Sequence, residues 1–447
     1  MLVCCVLISG CGGAVSPRER MDFNDDWKFH LGDVPDASSP DFDDSSWRLL
    51  DLPHDWAIEG DFSKDNPSGI GGGALPGGTG WYRKTFFLTE EDSSSLFRLD
   101  FDGVYMNAEV FVNGELLGKR PYGYISFGYD ITPYLEWGGQ NTIAVRVDNS
   151  LQPDSRWYSG CGIYRNVWLV KTGPVRVAPD GIYVVSRMVQ DDAFLIVDTE
   201  LLFEGADTEE VVLRHMVCDA SGNEVGRVTD VIRVSEEEMT EQAIEVKEPR
   251  LWSPDDPYLY TVLTEVETLD GKLLDRYETK TGIRYFDFSP EKGFSLNGIP
   301  LKINGVCLHH DFGCLGTAFN INAARRQLEI MKEMGCNAIR TAHNPPAPQL
   351  LDLCDEMGFI VQDEVFDMWR KGKTAYDYSL YFDEWHERDL TDFVRRDRNH
   401  PSVFMWSIGN EVQEQWSADE ADMILVRKLA DIVRRLDPTR PVTAGCN

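Results

Sequence analysis

Between about residue 21 and residue 175, apolar positions come in short alternating runs. Examples are Trp81–Leu88, Leu96–Phe101, Ala108–Val112, Thr142–Val147 and Val167–Val170. Alternation with period two puts one face of a segment in a core and the other in water, so these runs predict strands. Asn113-Gly114 between two of them predicts a two-residue hairpin turn. The spacing predicts a β-sandwich over 21–175. A second all-β pattern, with Ala193–Val197, Val211–Val217 and Leu259–Leu263, fills 176–285. Its length, about 100 residues with roughly seven strand candidates, predicts an immunoglobulin-like sandwich without the Cys-Trp-Cys core of antibody domains. The glycine-rich stretch Gly69–Gly80 lacks the Gly-Lys-Ser/Thr of a phosphate loop and reads as a flexible surface loop.

From 286 on, and plainly after Gly298, strands alternate with helices. Leu301–Leu308 predicts a strand. Asn320–Met334 predicts a helix with Ile321, Ala324, Leu328 and Met331 on one face. Strands follow at Ala338–Thr341, Phe359–Gln362, Val403–Ile408 and Pro441–Ala444, with helices at Ala347–Met357, Phe382–Arg396 and Ala418–Leu436. Such repeats are right-handed parallel βα units. Two β domains in front favour a TIM (β/α)8 barrel, of which 286–447 would be the first half; a doubly wound sheet fits the pattern alone.

The charge balance, 43 basic against 75 acidic residues, gives −32 and argues against nucleic acid as a partner. No internal stretch approaches the roughly 18 apolar residues of a membrane span. Residues 1–20 read as a leader: Ile8-Ser9-Gly10-Cys11 resembles a bacterial lipoprotein box, which predicts lipidation at Cys11, a membrane tether and a place in the bacterial cell envelope, periplasmic or on the outer membrane. Seven cysteines lie beyond the leader, with no Cys-x-x-Cys pair, so neither a disulfide framework nor a zinc site is indicated, and most are expected to be buried thiols.

Chemistry collects at the strand ends of the last third. The first predicted strand leads to His309-His310-Asp311, the second to His343-Asn344, the third to Asp363-Glu364 and the fourth to Asn410-Glu411. In a TIM barrel these ends form one mouth. Carboxylates among hydrogen-bond donors suit glycosidic bond cleavage, in which one acid protonates the leaving oxygen and a second carboxylate attacks or activates water.

The run Arg398–Glu411, ending Trp-Ser-Ile-Gly-Asn-Glu, resembles the acid/base signature of glycoside hydrolase family 2, the β-galactosidase and β-glucuronidase family. Asn337–Pro345, Arg250–Tyr260, Leu52–Trp56, Gly80–Arg83 and Gly162–Arg165 resemble the same family. The resemblance implies that 21–175 is a jelly-roll sandwich like a galactose-binding domain. It implies a retaining exo-acting β-glycosidase, with β-galactosides favoured. Glu411 would be the acid/base, Asn410 would bond the sugar 2-hydroxyl, and His310, Asp311, Arg340, His343 and Glu364 would line the glycone site. A sandwich loop would bring Asp154, Arg156 and Trp157 to the mouth. A carbohydrate substrate, no cofactor and a homo-oligomer when full length are implied. Two departures matter. The family's nucleophile follows the seventh barrel strand, past what the 447 residues reach, so these residues alone are expected to be inactive. Glu364-Val-Phe-Asp367 stands where some members carry a metal-binding Glu-x-His, so no metal is expected. The alternatives are a β-glucuronidase of the same family and a non-catalytic carbohydrate-binding fragment or pseudoenzyme.

Overall fold

The computed structural model describes residues 17–205, 210–233, 237–417 and 419–446. Most of the leader, Cys11 included, lies outside the described residues.

The first domain is a sandwich of two antiparallel sheets. In one, six strands lie in the order Arg48–Leu50, Trp27–Leu31, Gly78–Phe87, Gln140–Asn149, Ala108–Val112 and Glu115–Arg120. In the other, four strands lie in the order Glu19–Asp22, Val167–Thr172, Leu96–Phe101 and Phe127–Asp130. Inward residues such as Trp27, Tyr82, Phe97, Leu99 and Val145 fill the space between them. Asn113 and Gly114 turn the expected hairpin with φ of 50° and 89°, the left-handed geometry that such turns require. The glycine-rich loop is tied rather than loose. Ser63 N bonds Ala74 O at 2.9 Å, Ala74 N bonds Gly69 O at 2.8 Å, and the buried Ser68 hydroxyl donates to Leu75 O at 2.7 Å.

The second domain packs a sheet of Val175–Val189, Asp192–Phe203 and Glu237–Val246 on a sheet of Glu224–Arg233, Glu210–Cys218, Tyr260–Glu267 and Leu273–Thr281. Val177, Leu195, Leu213 and Val262 are among its core residues.

The third domain carries five parallel strands, Gly305–Leu308, Ala338–Thr341, Ile360–Glu364, Val403–Asn410 and Val442–Gly445, hydrogen-bonded in chain order. Unbroken sequential order is how a barrel winds; a doubly wound sheet reverses direction at a switch point. The intervening helices are α1 (Ile321–Glu333), α2 (Pro348–Met357), α3 (Phe382–Asp397) and α4 (Glu420–Leu436). Local chemistry sets their ends. The Asn320 side chain accepts from Asn322 N and Ala323 N at the start of α1, and Asp419 caps α4 through Ala421 N. Gly358 ends α2 at φ 72°.

The first sandwich and the barrel share one core. Tyr105, Met106, Tyr122, Tyr124, Ile125 and Tyr164 cluster with Phe366, Trp369, Tyr378 and Trp406. Arg165, 1% exposed, donates to Pro345 O at 2.8 Å and Pro346 O at 3.0 Å. Arg120, also 1% exposed, pairs with Asp389 and Asp392 of α3 at 2.5 and 2.6 Å. Removing one partner of such a buried pair strands the other charge. Arg120→Met should therefore cost roughly 3 kcal/mol and lower the melting of sandwich and barrel together in calorimetry. A shift confined to one transition would show that the two units do not depend on this pair.

The cysteines depart from expectation. Cys161 and Cys354 are buried, but Cys307, Cys314 and Cys446 are exposed; all seven beyond the leader are free thiols.

Candidate active site

Glu364 ends the third barrel strand and is fully enclosed. Its carboxylate accepts from Arg340 Nε at 3.1 Å and Nη2 at 2.9 Å, from Ser407 Oγ at 2.5 Å, and bonds His343 Nδ1 at 2.7 Å. A carboxylate with this many donors is an anchor. The sequence reading set it among the glycone-site residues; its carboxylate is enclosed and orients Arg340 and His343, which are part-exposed.

Asn410 ends the fourth strand, 3% exposed. Its amide oxygen accepts from Arg340 Nη2 at 2.8 Å and its amide nitrogen donates to Asp367 Oδ1 at 2.7 Å. Asp367 also accepts from Arg156 Nη2 and Lys373 Nζ, at 2.7 and 2.8 Å. Burial would raise the Asp367 carboxyl, but the hydrogen bonds from Arg156, Lys373 and Asn410 outweigh it and hold it below the usual carboxylate range. Lys373 Nζ donates to Asn410 O at 2.6 Å as well.

Glu411 follows at φ 46°, a left-handed conformation uncommon for a side chain of this kind and frequent at functional positions. Its backbone N–H donates to Gly445 O of the fifth strand at 2.7 Å, and its side chain stays 37% exposed. Its nearest cation is Arg156 Nη1 at 3.7 Å.

Arg156 belongs to the first sandwich, so the loop Pro153–Tyr158 does reach the barrel mouth. Trp157 packs its ring at a tilt 5.1 Å from His309 and edge-on 5.5 Å from His343, and Nε1 donates to Tyr124 Oη at 3.2 Å. Asp154, Trp157, His343 and Asp367 line one cavity with Tyr105 and Tyr122. Burial pushes the Asp154 carboxyl up to about 6, although Tyr105 Oη donates to it at 2.6 Å. An acid raised by folding loses stability as pH rises from its unfolded value toward its folded one. Over pH 4 to 6 the parent should thus lose, relative to Asp154→Asn, on the order of 2 kcal/mol. Denaturant unfolding of both proteins across that range measures it, and parallel pH curves would refute it.

The two histidines of the first strand end turn to different neighbours. His310 turns toward the sandwich, packing on Tyr124 and Tyr164 at 5.2 and 5.9 Å. Burial, helped by the Arg165 charge, pushes it down to about 3, so it is neutral there. His309 is the one beside Trp157 and His343, with rings 5.1 and 5.5 Å apart. Asp311 bonds Gly313 N of its own turn at 3.4 Å. The sequence reading named His309 only within the strand-end run and did not single out Asp367 or Lys373. Asp367 stood in the noted Glu364–Asp367 run; nothing around Lys373 in the chain marks it.

Among the described residues, one grouping could hold a metal ion: Asp352, Asp355 and His400. Burial would lower the His400 imidazole, but its pairing with Asp355 through Nδ1 at 2.6 Å and the nearby Asp352 and Asp397 charges together outweigh it and raise the imidazole to about 9. A protonated imidazole is a poor ligand.

Three domain models of one family match the chain in order: the sugar binding domain of glycosyl hydrolases family 2 over 73–174, the family 2 domain over 175–284 and the family 2 TIM barrel domain over 290–447. The β-galactosidase BoGH2A of Bacteroides ovatus is 58% identical across 97% of this chain and 54% of its own length. A β-glucuronidase of Bacteroides fragilis is 30% identical across 96% of this chain and 61% of its own. A solved family 2 member from Bacteroides cellulosilyticus superposes with a TM-score of 0.93 at 41% identity, covering 96% of this chain and 56% of that one. The chain spans about half the length of the curated relatives it matches. The order of three matched domains, the fold and the Asn410-Glu411 strand end agree: this chain belongs to glycosyl hydrolases family 2.

Proposed function

We propose that this chain carries the acid/base half of a retaining exo-β-glycosidase acting on terminal β-galactosides. The observation that carries the reading is Glu411, a part-exposed carboxyl at the end of the fourth strand, beside Asn410 and Arg156. In the first step Glu411 gives its proton to the glycosidic oxygen while a second carboxylate attacks the anomeric carbon; in the second, Glu411 takes a proton from water, which releases the sugar. Neither Glu364 nor Asp367 is free to attack, since both are saturated by donors. We therefore place the attacking carboxylate outside this constellation.

The cations favour a neutral glycone over a uronic acid. Arg340 is committed to Glu364, and Arg156 and Lys373 to Asp367. A substrate carboxylate here would have to compete with these pairs while facing Glu411 and Asp154. The test uses the full-length protein that contains these residues, with aryl β-galactoside and aryl β-glucuronide under the same conditions. Faster turnover of the galactoside is expected; preference for the glucuronide would overturn the assignment, and sugar binding with no turnover of either would make it a binding protein.

We also infer that Cys11 is lipidated and tethers the protein to the bacterial envelope. No helix among the described residues is long and apolar enough to cross a membrane. Mass spectrometry of the native N-terminus should find an acylated Cys11; an intact Met1 would refute it.

A further inference from the structure

Glu411 hangs from a peptide that is gripped on both sides. That peptide joins Asn410 to Glu411. Its N–H donates to Gly445 O of the fifth strand at 2.7 Å, and its carbonyl, Asn410 O, accepts from Lys373 Nζ at 2.6 Å. In a trans peptide the two groups point in opposite directions, so the grips come from opposite sides. They hold a residue that would relax if released. Glu411 has φ of 46°, a conformation that a residue other than glycine keeps only where its surroundings impose it. Turning the peptide over would return Glu411 to negative φ, break both bonds and carry the carboxyl elsewhere.

Lys373 is itself built in. Its side chain is nearly buried, and Asp367, bonded to Nζ at 2.8 Å, supplies the counter-charge that an ammonium there needs. The loop 371–379 that carries it closes on the buried Asp377 carboxylate. Asp377 accepts from Lys373 N at 2.6 Å, Thr374 N at 2.7 Å and Ser379 Oγ at 2.5 Å. Gly372 permits the closure, since a Cβ there would lie 2.6 Å from Ser379 Oγ and 3.1 Å from Asp377 Oδ1. The same loop reaches the chain on the far side of Glu411, where Lys371 N donates to the buried Glu414 carboxylate at 2.7 Å. It is tied to the first sandwich as well, through Tyr376 N and Pro153 O at 3.1 Å. A loop fastened at this many points keeps its ammonium in one place, and a charged donor bonds a carbonyl more strongly than a neutral one.

We propose that Lys373 is a positioning residue for the acid/base: its ammonium holds Asn410 O and thereby keeps Glu411 in the left-handed conformation from which the carboxyl serves the leaving oxygen. This inference rests on the reading of Glu411 as the proton donor. Lys373 gives up no proton in the reaction and acts only through the 410–411 peptide. Its loss should therefore be felt where protonation of the leaving group limits the rate, and little elsewhere.

The experiment uses the full-length protein that contains these residues, with a β-linked disaccharide and the dinitrophenyl β-glycoside of the same sugar. Lys373→Met keeps nearly the length of the side chain and removes the donor. It should lower kcat/KM on the disaccharide about 30-fold, mainly through kcat, and on the dinitrophenyl glycoside by no more than about threefold. Lys373→Gln keeps an uncharged donor and should show the same contrast at about fivefold; it decides the matter if the Met variant does not fold. In a crystal structure of either variant Glu411 should have relaxed to negative φ. Equal losses on the two substrates, unchanged rates, or Glu411 still at the parental φ would overturn the proposal. Glu411→Gln, measured alongside, separates this role from the assignment beneath it. A leaving-group contrast there with none in Lys373→Met removes Lys373 alone; no contrast in Glu411→Gln removes the acid/base assignment and the role of Lys373 with it.

Discussion

Replacing Glu411 by Gln should reduce hydrolysis of a disaccharide by about 10³-fold in kcat/KM while the full-length protein stays folded. Gln has nearly the shape of Glu, and the Glu411 side chain is part-exposed with no buried partner, so the fold loses little. Its backbone bond to Gly445 is untouched. What disappears is the proton. A sugar leaving group is a poor one, and departure without protonation raises the barrier steeply. A dinitrophenyl leaving group departs without that help, so the loss on its glycoside should be far smaller in the first step. Steady-state kinetics on the two substrates, with circular dichroism as the folding control, measures the contrast. Equal losses on both, or parental activity on the disaccharide, would remove Glu411 from its role.

The second large effect should come from Glu364→Gln, although Glu364 never meets solvent. Its negative charge is the common acceptor for Arg340, His343 and Ser407. A neutral amide cannot accept from all of them, and its NH2 group faces the Arg340 guanidinium, donor against donor. Breaking a buried pair from one side costs about 3–5 kcal/mol. Arg340 also holds the Asn410 side chain beside Glu411, so that amide loses its orientation together with the anchor. We expect kcat/KM to fall by about 10²-fold and the barrel to melt several degrees lower. Ser407→Ala removes one donor only and should cost about 1 kcal/mol, with activity mostly kept. A Glu364→Gln protein that melts lower yet keeps parental kcat/KM would reduce the network to a structural role.

The sequence shows the strand ends of this site more clearly than its side-chain directions. Alternation and helical periodicity placed every barrel element to within a few residues, except the first strand, which begins at Gly305 rather than Leu301. At His309 and His310 the pattern fails for a physical reason. Neighbouring residues leaving a strand point to opposite sides, and nothing in a His-His pair says which one faces the cleft. Lys373 sits in a loop past the third strand, where no periodicity applies, and only the fold brings it to Asp367. The motif residues outside the barrel reach across to other segments. Asp55 accepts from Thr317 N and Cys161 N, Arg165 holds Pro345 and Pro346, and Trp252 Nε1 donates to Asp355 O at 2.9 Å. They fasten domains to one another.

That fastening bears on how such proteins can be recombined. Arg156 comes from the sandwich, yet its guanidinium lies between Asp367 and Glu411 of the barrel, and six sandwich residues sit inside the barrel's own core. A chimera that takes its sandwich from one relative and its barrel from another would inherit mismatched halves of a single charged constellation, as well as two rows of aromatic rings shaped for other partners. Grafts that respect the interface must move the segment 153–158 and the ring-bearing stretch 105–125 with the barrel they touch. The inheritable unit for altering this reaction is therefore a patch spanning two domains, and its borders follow side chains rather than the linkers between folds.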